Sequence, residues 1–149
     1  MPTLITNKRA IFDYTILEKY EAGLALLGNE VKAIKTGHIN LQGSYIVLKD
    51  NELFLINANI PPYQPKNTPA DYNPERSRKL LARKSEIKSL IGKTKQKGLT
   101  LLPLTIYVKH GKIKLEFGLC RGKRKIDKRE TIQKREVKKR IERVMKENI

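Results

Sequence analysis

The sequence predicts a mainly β protein with short peripheral helices and a basic C-terminal tail. β-branched and aromatic residues fall in short segments separated by Gly, Asn and Pro, a pattern typical of an all-β barrel or sandwich. Six such segments are enough to close a small barrel. The length of 149 residues and a hydrophobic content of 39% allow one core of ordinary size rather than two. We therefore expect a β-rich body over residues 1–120 and a tail over residues 121–149.

Six strands are predicted, and tight turns join two pairs of them. The predicted strands cover residues 10–17, 23–27, 44–49, 52–58, 100–109 and 112–119. Asn51 stands in the turn after the third strand and Gly111 in the turn after the fifth. Both residue types tolerate the positive φ that tight hairpin turns require. Both hairpins are therefore expected to be antiparallel.

Two helices and one loop interrupt the predicted strands. A helix over residues 30–36 follows Asn29, and a longer helix over residues 86–97 follows Ser85, because both residue types are favourable N-caps. Each helix stops before a glycine, the usual residue just past a helix end. Five prolines between residues 60 and 74 predict a loop there.

The charge of the chain predicts a polyanionic partner. There are 32 Lys and Arg against 15 Asp and Glu, which gives a formal net charge of +17. The tail alone carries 13 basic and 5 acidic residues, and it contains neither aromatic residues nor proline. Such a segment cannot bury enough apolar surface to order itself when free. Val137, Ile141 and Val144 recur at helical spacing, so the tail is expected either to become a helix on a partner or to be a solvated charged helix.

Membrane and secretory classes are not expected. The longest uncharged apolar runs, such as residues 24–27 and 99–104, are far shorter than the ~20 residues that a membrane-spanning helix needs. The N-terminus lacks the pattern of a secretory signal. Cys120 is the single cysteine, so no internal disulfide can form, and it is predicted to be a small core residue. These features predict a reducing, cytoplasmic location.

Residues for catalysis, metal binding or cofactor binding are scarce. His38 and His110 are the two histidines, and each stands beside a glycine in a predicted turn. His110 is interpreted as a turn residue, whereas His38 is either a turn residue or an exposed RNA contact. One cysteine and two distant histidines offer no zinc spacing, and no phosphate-binding loop is present. We therefore predict no enzyme activity, no metal and no cofactor.

RNA is the polyanion that these features favour. Clustered cations release condensed counterions from phosphates, which gives affinity without sequence reading. The sequence shows no helix-turn-helix, zinc finger or basic zipper, whereas small β-barrels are common platforms for RNA. Recognition is therefore expected to depend on RNA shape and backbone.

Several short motifs then point to one family. They are Asp13-Tyr14, Tyr20-Glu21-Ala22-Gly23, Glu30-Val31-Lys32, Asn40-Leu41, Ser44-Tyr45, Arg78-Lys79-Leu80-Leu81, Lys97-Gly98-Leu99-Thr100, Gly122-Lys123 and Asp127-Lys128-Arg129. In order and spacing they resemble the small protein B family, the SsrA-binding proteins of bacteria. The resemblance runs from about Asn7 to Arg129.

The resemblance implies both a fold and a function. The fold is a closed, six-stranded OB-like barrel with a basic tail that is disordered when free and helical on the ribosome. The function is to bind the tRNA-like domain of transfer-messenger RNA (tmRNA) and deliver it to stalled ribosomes for trans-translation. The tmRNA is charged with alanine and carried by elongation factor Tu. The tail then occupies the empty mRNA channel, against small-subunit ribosomal RNA near the decoding centre. This is a binding role rather than catalysis.

The resemblance also implies the binding residues. Glu21 and Leu81 fall at family positions for binding the tRNA-like domain, although Glu21 could instead be a rim carboxylate in a salt bridge. Arg83 stands where relatives often have Asn or His, so a phosphate contact is expected in place of a directed hydrogen bond. The remaining tmRNA-binding residues are Glu30, Lys32, His38 and Asn40.

The tail residues form a second set. The ribosome-binding residues implied are Gly122, Lys123, Arg124, Ile126, Asp127, Lys128, Arg129, Lys134, Arg135, Lys138 and Lys139. Relatives commonly have His or Tyr at the position of Ile126, so apolar packing is expected there in place of stacking.

Overall fold

The computed structural model describes residues 3–123, which contain seven strands, three α-helices and one short 3-10 helix. In chain order the elements are β1 (Thr3–Thr6), α1 (Lys8–Asp13), β2 (Tyr14–Leu24), α2 (Gly28–Lys35), β3 (Tyr45–Lys49), β4 (Glu52–Ile56), the 3-10 helix (Pro65–Asn67), β5 (Arg78–Leu81), α3 (Lys84–Thr94), β6 (Leu99–Lys109) and β7 (Lys112–Gly122). The predicted mainly β class is confirmed.

All seven strands belong to one antiparallel sheet. Their order is β1-β6-β3-β4-β5-β2-β7, and β6 also pairs with β7. The β7 strand therefore lies between β2 and β6, and it pairs with each of them over most of its length. These three strands are the longest of the sheet at 11 residues each.

Both predicted hairpins are confirmed. Asp50 and Asn51 have φ of 52° and 61° in the β3–β4 turn, and His110 and Gly111 have φ of 51° and 75° in the β6–β7 turn. These left-handed conformations suit the backbone twist of the antiparallel strands on either side. His110 is therefore a turn residue, as predicted.

The predicted first strand, residues 10–17, is wrong over its first half, which lies in α1. The Asn7 side chain accepts a hydrogen bond from the Ala10 N–H at 3.3 Å and donates one to the Pro103 carbonyl at 2.9 Å. Asn7 thus caps α1 and fixes it on β6. An apolar run alone does not distinguish a short buried helix from a strand.

The strand predictions also fail at three other places. The predicted strands 10–17 and 23–27 are joined, because β2 continues through the polar residues between them and ends at Leu24. The short strands β1 and β5 were not predicted. Each has only four residues, and β5 begins with the charged pair Arg78 and Lys79.

The two predicted helices exist, but both begin earlier than predicted. The α2 helix starts at Gly28, where Glu30 accepts a hydrogen bond from the Leu27 N–H at 2.9 Å. Asn29 therefore lies inside the helix rather than capping it. The α3 helix starts at Lys84 and includes Ser85.

The core is formed by buried residues of the strands, of α2 and α3 and of the connecting segments. Its fully buried members include Ile34, Leu41, Leu53, Leu55, Leu80, Leu90, Ile106 and Leu115. Cys120 is also fully buried, in a smaller cluster with Ala10, Leu102 and Leu104, as predicted for a core cysteine.

The predicted start of the tail at residue 121 falls inside β7, which runs to Gly122. The Lys123 N–H then donates to the Asp13 carbonyl at 2.9 Å, so the chain leaves the sheet beside the end of α1. The helices within residues 3–123 have at most 11 residues, and none of them could span a membrane.

Candidate nucleic-acid interface

Glu21 lies on a charged face formed by the three longest strands. It is directly opposite Glu116 of β7, which is itself opposite Thr105 of β6. Lys19 of β2 approaches Glu116, with 3.9 Å between Nζ and Oε1. The face therefore carries both acidic groups and cations at close range.

Two residues of β6 hold the Glu21 carboxylate. The Tyr107 hydroxyl donates a hydrogen bond to Oε2, and Lys109 Nζ lies 3.4 Å from Oε1. The hydrogen bond from Tyr107 lowers the pKa of Glu21, and Lys109 and Lys114 lower it further against the opposing effect of burial. Glu21 is therefore ionised at neutral pH and fixed in direction. The carboxylate forms a salt bridge with Lys109, and it is still exposed.

Leu81 is exposed next to the same face. It is directly opposite Gly23 on the neighbouring strand. A Cβ atom at Gly23 would lie 3.4 Å from the Leu81 Cβ and 3.8 Å from Lys114 Nζ. Leu81 is 54% exposed, the highest value among the large hydrophobic residues that are exposed in the described part of the chain. The fold thus brings together Glu21 and Leu81, which are far apart in sequence.

Glu30 is not on the surface, which corrects the expectation that it contacts RNA. Its side chain is fully buried. Arg78 Nε donates to Oε2 at 2.9 Å, the Tyr72 hydroxyl donates to Oε2 at 3.1 Å, and Arg76 bonds both oxygens. With the Leu27 N–H on Oε1, the carboxylate has no oxygen left for an external ligand. The resemblance that named Glu30 contains no information on burial.

The Glu30 cluster, defined as Glu30, Tyr72, Arg76 and Arg78, joins three parts of the fold. Arg78 also donates to the Ala58 carbonyl at 2.7 Å and to the Pro74 carbonyl at 2.9 Å. Burial by itself raises the pKa of Glu30, but the hydrogen bonds from the two arginines and from the backbone outweigh it, so the pKa is lowered. Two guanidinium groups meet one carboxylate, and Arg76 remains 30% exposed at the edge.

The other predicted tmRNA-binding residues are exposed, three of them on or after α2 and the fourth close to Leu81. Lys32 lies on α2, and His38 follows that helix with Nδ1 2.8 Å from Thr36 Oγ1. Asn40 accepts a hydrogen bond from the Gln42 N–H at 2.9 Å through its side chain. Arg83 precedes α3 and lines a cavity of about 360 Å³ that also includes Leu81.

Of the predicted ribosome-binding residues, the described part of the chain includes two. Gly122 is opposite Tyr14 at the end of β7, and Lys123 is the next residue. The others, Arg124, Ile126, Asp127, Lys128, Arg129, Lys134, Arg135, Lys138 and Lys139, lie outside the described residues. Within residues 3–123, no group of three or more His, Cys, Asp or Glu could hold a metal ion.

Sequence reasoning missed Tyr107, Lys109 and Lys114 as parts of this face. A usable signal was present, because these residues alternate with the buried Ile106, Ile113 and Leu115 in the predicted hairpin. Alternation places them together on the outer face of the sheet.

Comparisons with known proteins agree with each other. A family model described as SmpB protein matches residues 4–147. An SsrA-binding protein of Cupriavidus necator is 47% identical over 97% of this chain and 96% of its own length. An SsrA-binding protein of Thermosynechococcus vestitus is 46% identical over 97% of this chain and 95% of its own length. A chain of a solved structure described as "tmRNA-SmpB: a journey to the center of the bacterial ribosome" is 46% identical, with a TM-score of 0.68, and the match covers 89% of this chain and 95% of that one.

Proposed function

The chain belongs to the SmpB family, and on that basis we propose that it binds the tRNA-like domain of tmRNA and delivers it to stalled bacterial ribosomes for trans-translation. The observation that supports this most directly is the meeting of Glu21 and Leu81 on one exposed face, since neither residue type is expected at the centre of a purely electrostatic RNA site. The proposed role is binding in the cytoplasm, without catalysis or a cofactor.

The chemistry of this face suits folded RNA. An ionised, fixed carboxylate at Glu21 accepts hydrogen bonds from base amino groups or from a ribose 2′-OH. Leu81 offers an apolar surface to a base or a ribose, and Lys109 and Lys114 are available to phosphates. We assign further phosphate contacts to Lys32 and Arg83, and polar contacts to His38 and Asn40. Glu30 contributes by holding the segment that contains Arg76.

We also propose that the strand pairing closes as an OB-like barrel. The pairings β6-β3-β4-β5-β2-β7 return to β6, which leaves β1 attached outside a ring of six strands. Such closed sheets carry loops suited to RNA. In this proposal the body ends at Gly122, and the basic tail follows from Lys123.

The tail is assigned to the ribosome. Its basic residues are attracted to the ribosomal RNA phosphates that line an mRNA channel near the decoding centre, and an mRNA in the channel would exclude it. The alanyl-tmRNA would arrive with elongation factor Tu. Deleting residues 130–149 is expected to leave tmRNA affinity nearly intact and to abolish ribosome rescue. Equal loss of both would contradict this division between body and tail.

The test of tmRNA binding is filter binding of the full chain to tmRNA, alanine tRNA and an unrelated structured RNA as the salt concentration is raised. Nonspecific attraction weakens for all three RNAs together, because each depends on counterion release. The proposal expects tmRNA alone to be retained at physiological salt. Equal retention of the three RNAs would instead indicate a general ribosomal-RNA-binding protein.

A further inference from the structure

The contact between Tyr107 and Glu21 extends the proposed function. We propose that Tyr107 is a positioning residue for Glu21, and that the β6–β7 hairpin thereby determines how specifically the face recognises RNA. This inference rests on the proposed function, because it concerns the same surface. It assigns a role in recognition to a residue that carries no charge.

The strand register explains how Tyr107 reaches Glu21. Glu21, Glu116 and Thr105 are aligned across three strands, and Tyr107 is two positions further along β6 on the same face. Because β7 lies between β2 and β6, the two side chains reach toward each other over it, and they meet at the Tyr107 hydroxyl and the Glu21 carboxylate. Its hydroxyl donates to Oε2 while Lys109 approaches Oε1, so each oxygen has one neighbour from β6.

The surroundings of Glu21 make such positioning necessary. Glu116 is directly opposite, and two like charges at that distance repel each other. Without the Tyr107 hydroxyl, Oε2 would lose its donor and Lys109 at 3.4 Å from Oε1 would hold the carboxylate less firmly, so the Glu21 side chain would sample more rotamers. Ordering it on binding would then cost conformational entropy, which a hydrogen bond formed in advance avoids. The hydroxyl also leaves lone pairs on both oxygens for donors from the RNA.

Support also comes from the tyrosine itself. Its ring is partly buried, and both this burial and the neighbouring Glu21 raise the pKa of the Tyr107 hydroxyl. The hydroxyl therefore stays protonated and remains a donor at any pH at which RNA binding is measured. Lys109, by contrast, adds a positive charge as well as a contact.

Orientation and charge can be separated by experiment. Removing the Tyr107 hydroxyl changes no charge, so the dependence of affinity on salt should stay the same. Replacing Lys109 with Gln removes a cation, so it should weaken binding and also reduce the slope of log affinity against log salt.

The test measures the affinity of the full chain for tmRNA with Tyr107→Phe, Glu21→Gln and both together. Tyr45→Phe is the matched control, because Tyr45 is an exposed strand tyrosine that lines a different cavity with Asn7 and Thr100. We expect Tyr107→Phe to weaken binding about fivefold to tenfold in the wild-type background and less than about twofold in the Glu21→Gln background. Thermal unfolding of each variant checks its fold.

A second readout requires no RNA. Titration of the Glu21 carboxyl by NMR should show a higher pKa in Tyr107→Phe than in the wild type, because the hydrogen bond that lowers it is gone. Any one of three results would overturn the proposal. The pKa of Glu21 could be unchanged in Tyr107→Phe, or the affinity of Tyr107→Phe for tmRNA could equal that of the wild type. The third is that Tyr107→Phe lowers the affinity equally in the wild-type and Glu21→Gln backgrounds. If the wild type itself fails to prefer tmRNA, the proposed function fails, and the titration still decides whether Tyr107 holds Glu21.

Discussion

Replacing Glu30 with Gln should destabilise the protein far more than a surface carboxylate replacement does. The substitution keeps the size of the side chain but removes the charge that two guanidinium groups share. It also brings an amide donor against the donors of Arg76 and Arg78. Breaking a buried ion pair on one side costs about 3–5 kcal/mol, because a desolvated charge is left uncompensated.

That cost sets the expected melting temperature. At about 2–4 °C per kcal/mol, the Tm of Glu30→Gln should fall by about 6–20 °C in thermal unfolding followed by circular dichroism. Glu52→Gln is the control, because Glu52 pairs with Lys79 of β5 at 2.9 Å with both side chains about half exposed (44% and 45%). An exposed ion pair contributes about 0–1 kcal/mol to stability, so the Tm of Glu52→Gln should hardly change. Equal Tm shifts for the two variants would refute the reasoning.

The same cluster predicts a dependence on pH. The pKa of Glu30 is lower in the folded protein than its unfolded value of about 4.3. Its stabilisation is therefore complete above that value and is lost as the pH falls through the folded pKa. The free energy of unfolding of the wild type should therefore fall in this acidic range. The difference in this free energy between the wild type and Glu30→Gln should become smaller there.

Three further outcomes follow from packing. Gly118→Ala should lower the free energy of unfolding by about 1–3 kcal/mol in chemical denaturation, because the added Cβ would lie 2.9 Å from Leu104 Cδ1 and 3.2 Å from the Glu18 carbonyl. An unchanged free energy of unfolding would contradict this close contact. Gly92→Ala in α3 should instead stabilise by about 0.5–1 kcal/mol, because nothing lies within 4 Å of its Cβ. Cys120 should react with a thiol reagent only after unfolding, because burial raises the pKa of its thiol to about 11; rapid labelling of the native protein would contradict its position.

The fold class and the hairpins could be predicted from the sequence, because alternation and turn residues are local signals. The start of α1 could not be predicted from the sequence. The Asn7 side chain that caps this helix also donates a hydrogen bond to the Pro103 carbonyl, which is far away in the chain. The β5 strand could not be predicted from the sequence either. Arg78 occupies an inward position of this strand, and only the position of Glu30 in the folded chain makes a buried arginine favourable there.

The candidate site shows the same limit. Family resemblance identified Glu21 and Leu81, but the register that places Leu81 opposite Gly23, two residues from Glu21, exists only once β2 and β5 pair. The expectation that Glu30 contacts RNA came from the family resemblance, which contains no information on burial. The burial of Glu30 depends on Arg76 and Arg78, which lie just after the predicted proline-rich loop, in a segment for which the sequence predicts no element.

Charge has two separable roles in this protein. Pairs such as Glu18 with Lys93, at 2.7 Å, neutralise each other locally, so they add little to attraction over distances beyond the Debye length of about 8 Å. Long-range attraction to phosphate instead depends on the excess of cations behind the net charge of +17. Glu21 acts against that attraction, because a carboxylate repels phosphate. It can favour an RNA complex only through a directed hydrogen bond, and a directed hydrogen bond needs a fixed carboxylate, which is what the Tyr107 hydroxyl provides.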